Sequence, residues 1–258
     1  MLMTLLPSPG SRRFDQVLRE IDEFIFGLIR EGRRSGQDQG DLLSMLLLAR
    51  DESGTGMSDR QLRDELVTLM VAGLDTTALA VSWALFLLAR HPEAQLRLKA
   101  EVDQVLGERS PTFAELPQLR FADAVLKESM RLYPPAWLIG REAMNDCEVG
   151  GQSIKRGESI ILSQWLVHRD LRHFPDAAAF RPERWLEASI SDLPKFAYFP
   201  FGGGPRVCIG NNFAVMEGIL VLAAIFQRFG VRCESGYTVK PWPSITLQPE
   251  GGIWLELR

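Results

Sequence analysis

The stretch from Ser58 to Arg90 constrains the fold of this 258-residue chain more than any other. Ser58 followed by Gln61 is a capping-box signal for a helix start, and His91-Pro92 stops the same helix. Between residues 66 and 89 it is apolar almost throughout, with Asp75 near the centre. A helix of that character is expected to be buried against other elements. The central acid favours the buried helix of a soluble protein over a membrane span.

Periodicity fills in the rest. Apolar residues recur at helical spacing over residues 14–34, and a shorter helix covers 42–49. Pro92 opens another helix to about Leu106, and a further one spans 120–132. After Pro134-Pro135 short alternating runs appear at 138–143, 148–154 and 159–163, with Gly150-Gly151 as a turn. Residues 174–201 are rich in Pro, Asp and aromatics and read as mostly ordered loop. A helix over 211–228 follows, then strands broken by Pro241, Pro243 and Gly251-Gly252. There is no repeat or low-complexity linker. The expectation is a mainly α fold with small β-sheet elements, in a single domain over residues 1–258.

The net charge of −4 argues against nucleic-acid binding, which needs a basic excess. Arg30, Arg33 and Arg34 close the first helix, where cations complement its dipole. Three cysteines without a Cys-x-x-Cys pair suit a reducing compartment and disfavour both a disulfide framework and a zinc site. The histidines, His91, His168 and His173, sit in no nucleophilic-triad context, and Gly-x-Ser-x-Gly is missing. The segment Met1 to Pro7 is too short for a signal sequence and has no basic residues in front. A cytoplasmic location is expected.

The chemistry concentrates in Phe201-Gly202-Gly203-Gly204-Pro205-Arg206-Val207-Cys208-Ile209-Gly210. Glycines let backbone approach the sulfur closely, and the N–H groups of the following helix favour a thiolate at Cys208. Arg206 can pair an anion. A lone cysteine is more often a small buried hydrophobe, and glycine runs also cradle phosphates. No Lys-Ser/Thr follows here to hold a triphosphate.

Two further motifs stand out. Phe121, Val125, Glu128 and Leu132 share one helical stripe, which puts a carboxylate on an apolar face with Arg131 in reach. Such a group must be paired to be buried, although most Glu-x-x-Arg pairs are solvated helix faces. In Ala72-Gly73-Leu74-Asp75-Thr76-Thr77, glycine and threonines interrupt a helix interior beside an acid. Thr76 can bond back to the Ala72 carbonyl and loosen the ladder. A seam of small residues for close helix packing accounts for the same pattern.

The Phe-x-x-Gly-x-Arg-x-Cys-x-Gly spacing resembles the haem-binding loop of the cytochrome P450 family, in which a cysteine thiolate is the axial iron ligand. The resemblance runs over nearly the whole chain and is closest to bacterial soluble members. It implies haem b held by Cys208, with Phe201, Gly202 and Gly210 framing the loop and Arg206 and Arg141 on haem propionates. Glu128, Arg131 and Arg184 match a network that locks this loop. Asp75 and Thr76 match an acid–alcohol pair that relays protons during oxygen activation, in a groove that includes Ala72. Ala72, Trp137, Leu138 and Ile245 match substrate-facing positions, and a core role fits each equally.

The implied activity is monooxygenation of an apolar small molecule by O2. No flavin or nicotinamide fingerprint is present, so electrons come from a separate ferredoxin, flavodoxin or flavin reductase. The resemblance also implies that the chain begins near the middle of the family's length, without its N-terminal helices and strands. Three readings follow: the catalytic C-terminal portion of a monooxygenase, a folded but incompetent remnant, or a haem-binding sensor or carrier. The intact Asp75-Thr76 pair favours oxygen activation over the last.

Overall fold

The computed structural model describes residues 9–258. The chain divides into two compact units, one ending at Ala72 and the other beginning at Gly73. The first unit contains α1 (Pro9–Ser35), α2 (Leu42–Leu48) and the opening turns of α3 (Asp59–Arg90). Ile25, Ile29 and Leu62 are its buried centre, with Leu43, Leu47 and Leu66 packed against them. Both later helices start on side-chain caps. Asp41 accepts the Ser44 N–H at 2.7 Å, while Ser58 Oγ accepts the Gln61 N–H at 3.3 Å and Gln61 Oε1 accepts the Ser58 N–H at 2.9 Å. The expected capping box is therefore formed.

The second unit holds the remainder of α3, then α4 (Pro92–Leu106), α5 (Arg120–Leu132), β1 (Ile139–Glu142), β2 (Cys147–Val149), β3 (Gln152–Ile154) and β4 (Ser159–Leu162). After these come a short α6 (Gln164–Val167), α7 (Asn211–Arg228), β5 (Val231–Arg232), β6 (Pro241–Pro243), β7 (Leu247–Pro249) and β8 (Glu256–Leu257). The strands make two-stranded antiparallel pairs: β1 with β4, β2 with β3, β5 with β8 and β6 with β7. Gly150 and Gly151 turn the β2–β3 hairpin at φ 58° and 78°, which side-chain-bearing residues resist. The fold is mainly α with small sheets, as expected. Short 3₁₀ turns at Pro182–Leu186 and Ala188–Asp192 punctuate the segment read as loop.

The core of this unit lies among α3, α4, α5 and α7. Leu88, Leu98, Val102, Val125, Leu222 and Phe226 are fully buried in one cluster. Glu101 of α4 accepts the Phe121 and Ala122 N–H groups at 2.7 and 2.9 Å, so one carboxylate caps the start of α5. On α7, Gly218 allows a close approach: a Cβ there would lie 2.7 Å from Leu126 Cδ2. Gly218→Ala should gain about 1 kcal/mol of helix propensity and lose about 1–3 kcal/mol to overpacking, because Leu126 is buried on every side. A net loss of about 1 kcal/mol is expected in denaturant unfolding; a stabilised variant would mean Leu126 repacks freely.

The expected burial of the long helix holds for only part of it. Leu79, Trp83, Ala84, Phe86 and Leu88 are buried, whereas Val71 and Leu74 are 63% and 75% exposed. By length and composition α3 could cross a membrane, and only 44% of its most apolar window is buried. Apolar character made the whole stretch look like core. Among the described residues, nothing covers the turns around Val71 and Leu74.

Candidate functional site

Glu128 organises the most heavily bonded part of the second unit. It sits on the buried face of α5 and is 0% exposed, as is Arg131. Its two oxygens receive Arg131 Nε and Nη2, each at 2.9 Å, and Arg184 Nε at 3.0 Å. Trp185 Nε1 and the Arg181 N–H add further bonds, each at 2.9 Å. A carboxylate with that many donors recovers its hydration, which is what permits burial of the charge. Arg131 then reaches outward: Nη1 donates to the carbonyls of His168 and Ala177 at 2.9 and 2.7 Å, and Nη2 to Ala179 at 3.0 Å. The Glu–Arg–Arg cluster expected from the sequence is thus assembled, and it pins the chain on either side of residue 175.

The cluster connects to the cysteine loop through a residue that the sequence did not single out. His168 caps the end of α6 and is fully buried. Its Nε2 accepts the Phe199 N–H at 2.9 Å. The Phe199 carbonyl accepts the Gly202 N–H at 2.9 Å, and the Phe201 carbonyl accepts the Cys208 N–H at 3.0 Å. Burial, with help from the charges of Arg131 and Arg169, outweighs the Met130 backbone, which favours the charged form, and pushes the His168 pKa down to about 3, so the ring is neutral. Nδ1 carries its proton, because Nε2 is an acceptor. Burial beside Arg131 also lowers Arg169 to about 10, which leaves it charged; it donates to the Leu132 carbonyl and lies over the Trp165 ring.

Within the loop, Gly202 adopts φ 72°, and a Cβ there would meet Ile139 Cδ1 at 3.3 Å. Phe201 is half-buried against the helical core. Cys208 is exposed, just before α7, and a Cβ on Gly210 would lie 3.9 Å from its sulfur. Val207 and Ile209 on either side are 47% and 90% exposed. Arg206 and Arg141 are also exposed, the latter donating to the neighbouring Gly140 carbonyl at 2.8 Å. Neither guanidinium has a carboxylate partner among the described residues. A soft sulfur donor between apolar side chains, with uncommitted cations on the same unit, fits an apolar metal macrocycle carrying anionic groups.

The remaining predicted positions are more scattered. Asp75 is exposed and accepts the Thr246 hydroxyl at 2.6 Å, a partner no local spacing could announce. Thr76 is half-buried and Ala72 exposed. Trp137 and Leu138 are half-buried, and Trp137 Nε1 donates to the Ser244 carbonyl at 2.9 Å. Ile245, next to Ser244, is 96% exposed, so the core role open to it from sequence is excluded.

Fold and site together define a helical protein with a cysteine loop braced by a buried ion cluster. A family model described as Cytochrome P450 matches residues 1–255. Cyclooctatin synthase of Streptomyces melanosporofaciens is 41% identical over 248 residues, covering 95% of this chain and 54% of the relative. Pentalenene oxygenase of Streptomyces avermitilis is 37% identical over 236 residues (92% and 53%). Cytochrome P450 4V2 of Mus musculus is 40% identical over 223 residues (84% and 42%). The chain belongs to the cytochrome P450 family. It spans about half the length of the curated relatives it matches.

Proposed function

We propose that this chain carries the haem-binding, oxygen-activating part of a cytochrome P450 monooxygenase. The reaction takes two electrons and two protons, inserts one atom of O2 into a C–H or C=C bond and releases the other as water. What supports this reading most is the exposed Cys208 sulfur, seated between apolar neighbours on a loop tied to the buried Glu128 cluster. Haem b, when bound, would supply the oxygen chemistry. Cys208 would hold it through its sulfur, and Arg206 and Arg141 would pair its carboxylates. Phe201, Gly202 and Gly210 would frame the sulfur.

The other residues act on substrate and protons. Thr76 and Asp75, with Thr246 on the Asp75 carboxylate, would pass protons from solvent, since the acid stands at the surface of its helix. Ala72, Trp137, Leu138 and Ile245 would face an apolar small molecule; the relative's name, pentalenene oxygenase, points to an unsaturated hydrocarbon as one such class. Electrons would arrive from a separate ferredoxin, flavodoxin or flavin reductase, in the cytoplasm. Glu128, Arg131 and Arg184 would support the loop without touching substrate.

The test is to express the chain, add haem, reduce it and record the carbon monoxide difference spectrum. A strongly red-shifted Soret band is expected from thiolate ligation. No haem uptake, or a band typical of neutral or histidine ligation, would overturn it in favour of an incompetent remnant.

A further inference from the structure

We propose that His168 is a positioning residue of the cysteine loop, transmitting the rigidity of the Glu128 cluster to Phe199 and onward to Cys208. Its importance for catalysis rests on residues 201–210 being the ligand loop, but its geometry does not. The His168 backbone is held at both ends: its carbonyl accepts Arg131 Nη1 at 2.9 Å and its N–H donates to the Gln164 carbonyl at 2.9 Å. The ring lies against Tyr198 and Phe199, with centroids 5.0 and 5.3 Å away. These contacts favour the ring orientation that meets the Phe199 N–H.

That hydrogen bond ties the cluster to the backbone leading into the loop, beside the Tyr198 hydroxyl, which donates to the Lys127 carbonyl at 3.0 Å; the succeeding bonds, Gly202 to Phe199 and Cys208 to Phe201, carry the connection to the sulfur. A buried N–H left without an acceptor is costly, so the position demands a side chain that is neutral, compact and able to accept. Imidazole meets this only while Nε2 is unprotonated. The groups that face the ring are Arg131 and the Met130 backbone from α5, Arg169 from its own segment and the neutral Tyr198; the Met130 backbone favours protonation, both cations oppose it, and burial opposes it most. With a folded-state pKa near 3 and an unfolded value near 6.5, the unfolded chain binds the extra proton between those limits. The His168 contribution to stability is therefore complete above the upper value and lost as pH falls toward the lower.

The experiment compares His168→Phe and His168→Asn with the parent chain, without haem. Phe fills the ring volume but cannot accept; Asn can. Hydrogen exchange is read at the Phe199 and Cys208 amides, and alkylation of Cys208 is measured relative to the exposed Cys147 as an internal reference. The Phe variant should speed Phe199 exchange by about tenfold and change the alkylation ratio, with Asn restoring much of both. Unchanged exchange and ratio in a folded Phe variant would overturn the proposal, as would equal losses in both variants. Should Phe fail to fold, ring ¹⁵N shifts of the parent chain decide. An unprotonated Nε2 at pH 7 that persists at pH 5 is expected, and a protonated Nε2 would overturn it. Because no readout needs haem, a failure of the monooxygenase reading leaves these outcomes distinct.

Discussion

Cys208→Ala should abolish the red-shifted carbon monoxide band and leave the chain folded. The two effects separate because the sulfur is exposed and packs little surface, so its loss costs the fold almost nothing. Any haem still taken up would bind through another ligand, with a different spectrum. The comparison requires the unfolding midpoint and the spectrum on the same preparation. A thiolate-type band persisting in the variant would remove Cys208 from the site, and Cys147, the other exposed thiol, would then need testing.

Glu128→Ala should do the reverse, leaving every chemical residue in place while the fold fails. Removing the carboxylate strands Arg131 and Arg184, 0% and 3% exposed, as like charges in a protein interior. Breaking a buried pair in this way typically costs about 3–5 kcal/mol, and two guanidiniums share this acid. Trp185 Nε1 and the Arg181 N–H also lose their acceptor. Against a total stability of about 5–15 kcal/mol, the variant is expected to be largely unfolded or aggregated at 37 °C. Denaturant unfolding of Glu128→Gln, which keeps one acceptor oxygen, should fall between. A loss under about 1 kcal/mol in the Ala variant would mean that solvent reaches the cluster and replaces the acid.

Much of the fold was legible from local rules. Pro92 and the periodicity after it bound α4, and the α5 and α7 limits follow from where apolar stripes begin and end. Glu128 was visible as an acid on an apolar stripe, a conflict with only paired burial as its solution. The loop helix α6 was missed, because four residues are too few to establish a period. Arg184 was reached only through the family resemblance, since nothing local marks an arginine in a loop as buried.

His168 left no local signal at all. Its acceptor role depends on Phe199, 31 positions away, and on Arg131, 37 positions away on another helix. Asp75 likewise meets Thr246 across 171 positions. The sequence by itself determined the longer helices, the capping box at Ser58, the cysteine loop and the need for a paired Glu128, because each depends on neighbours within a few residues. Only the tertiary structure decided which donors meet that carboxylate, which histidine ties it to the loop and which part of the long apolar helix is covered. Those are choices among distant partners, and packing alone brings them within hydrogen-bond range.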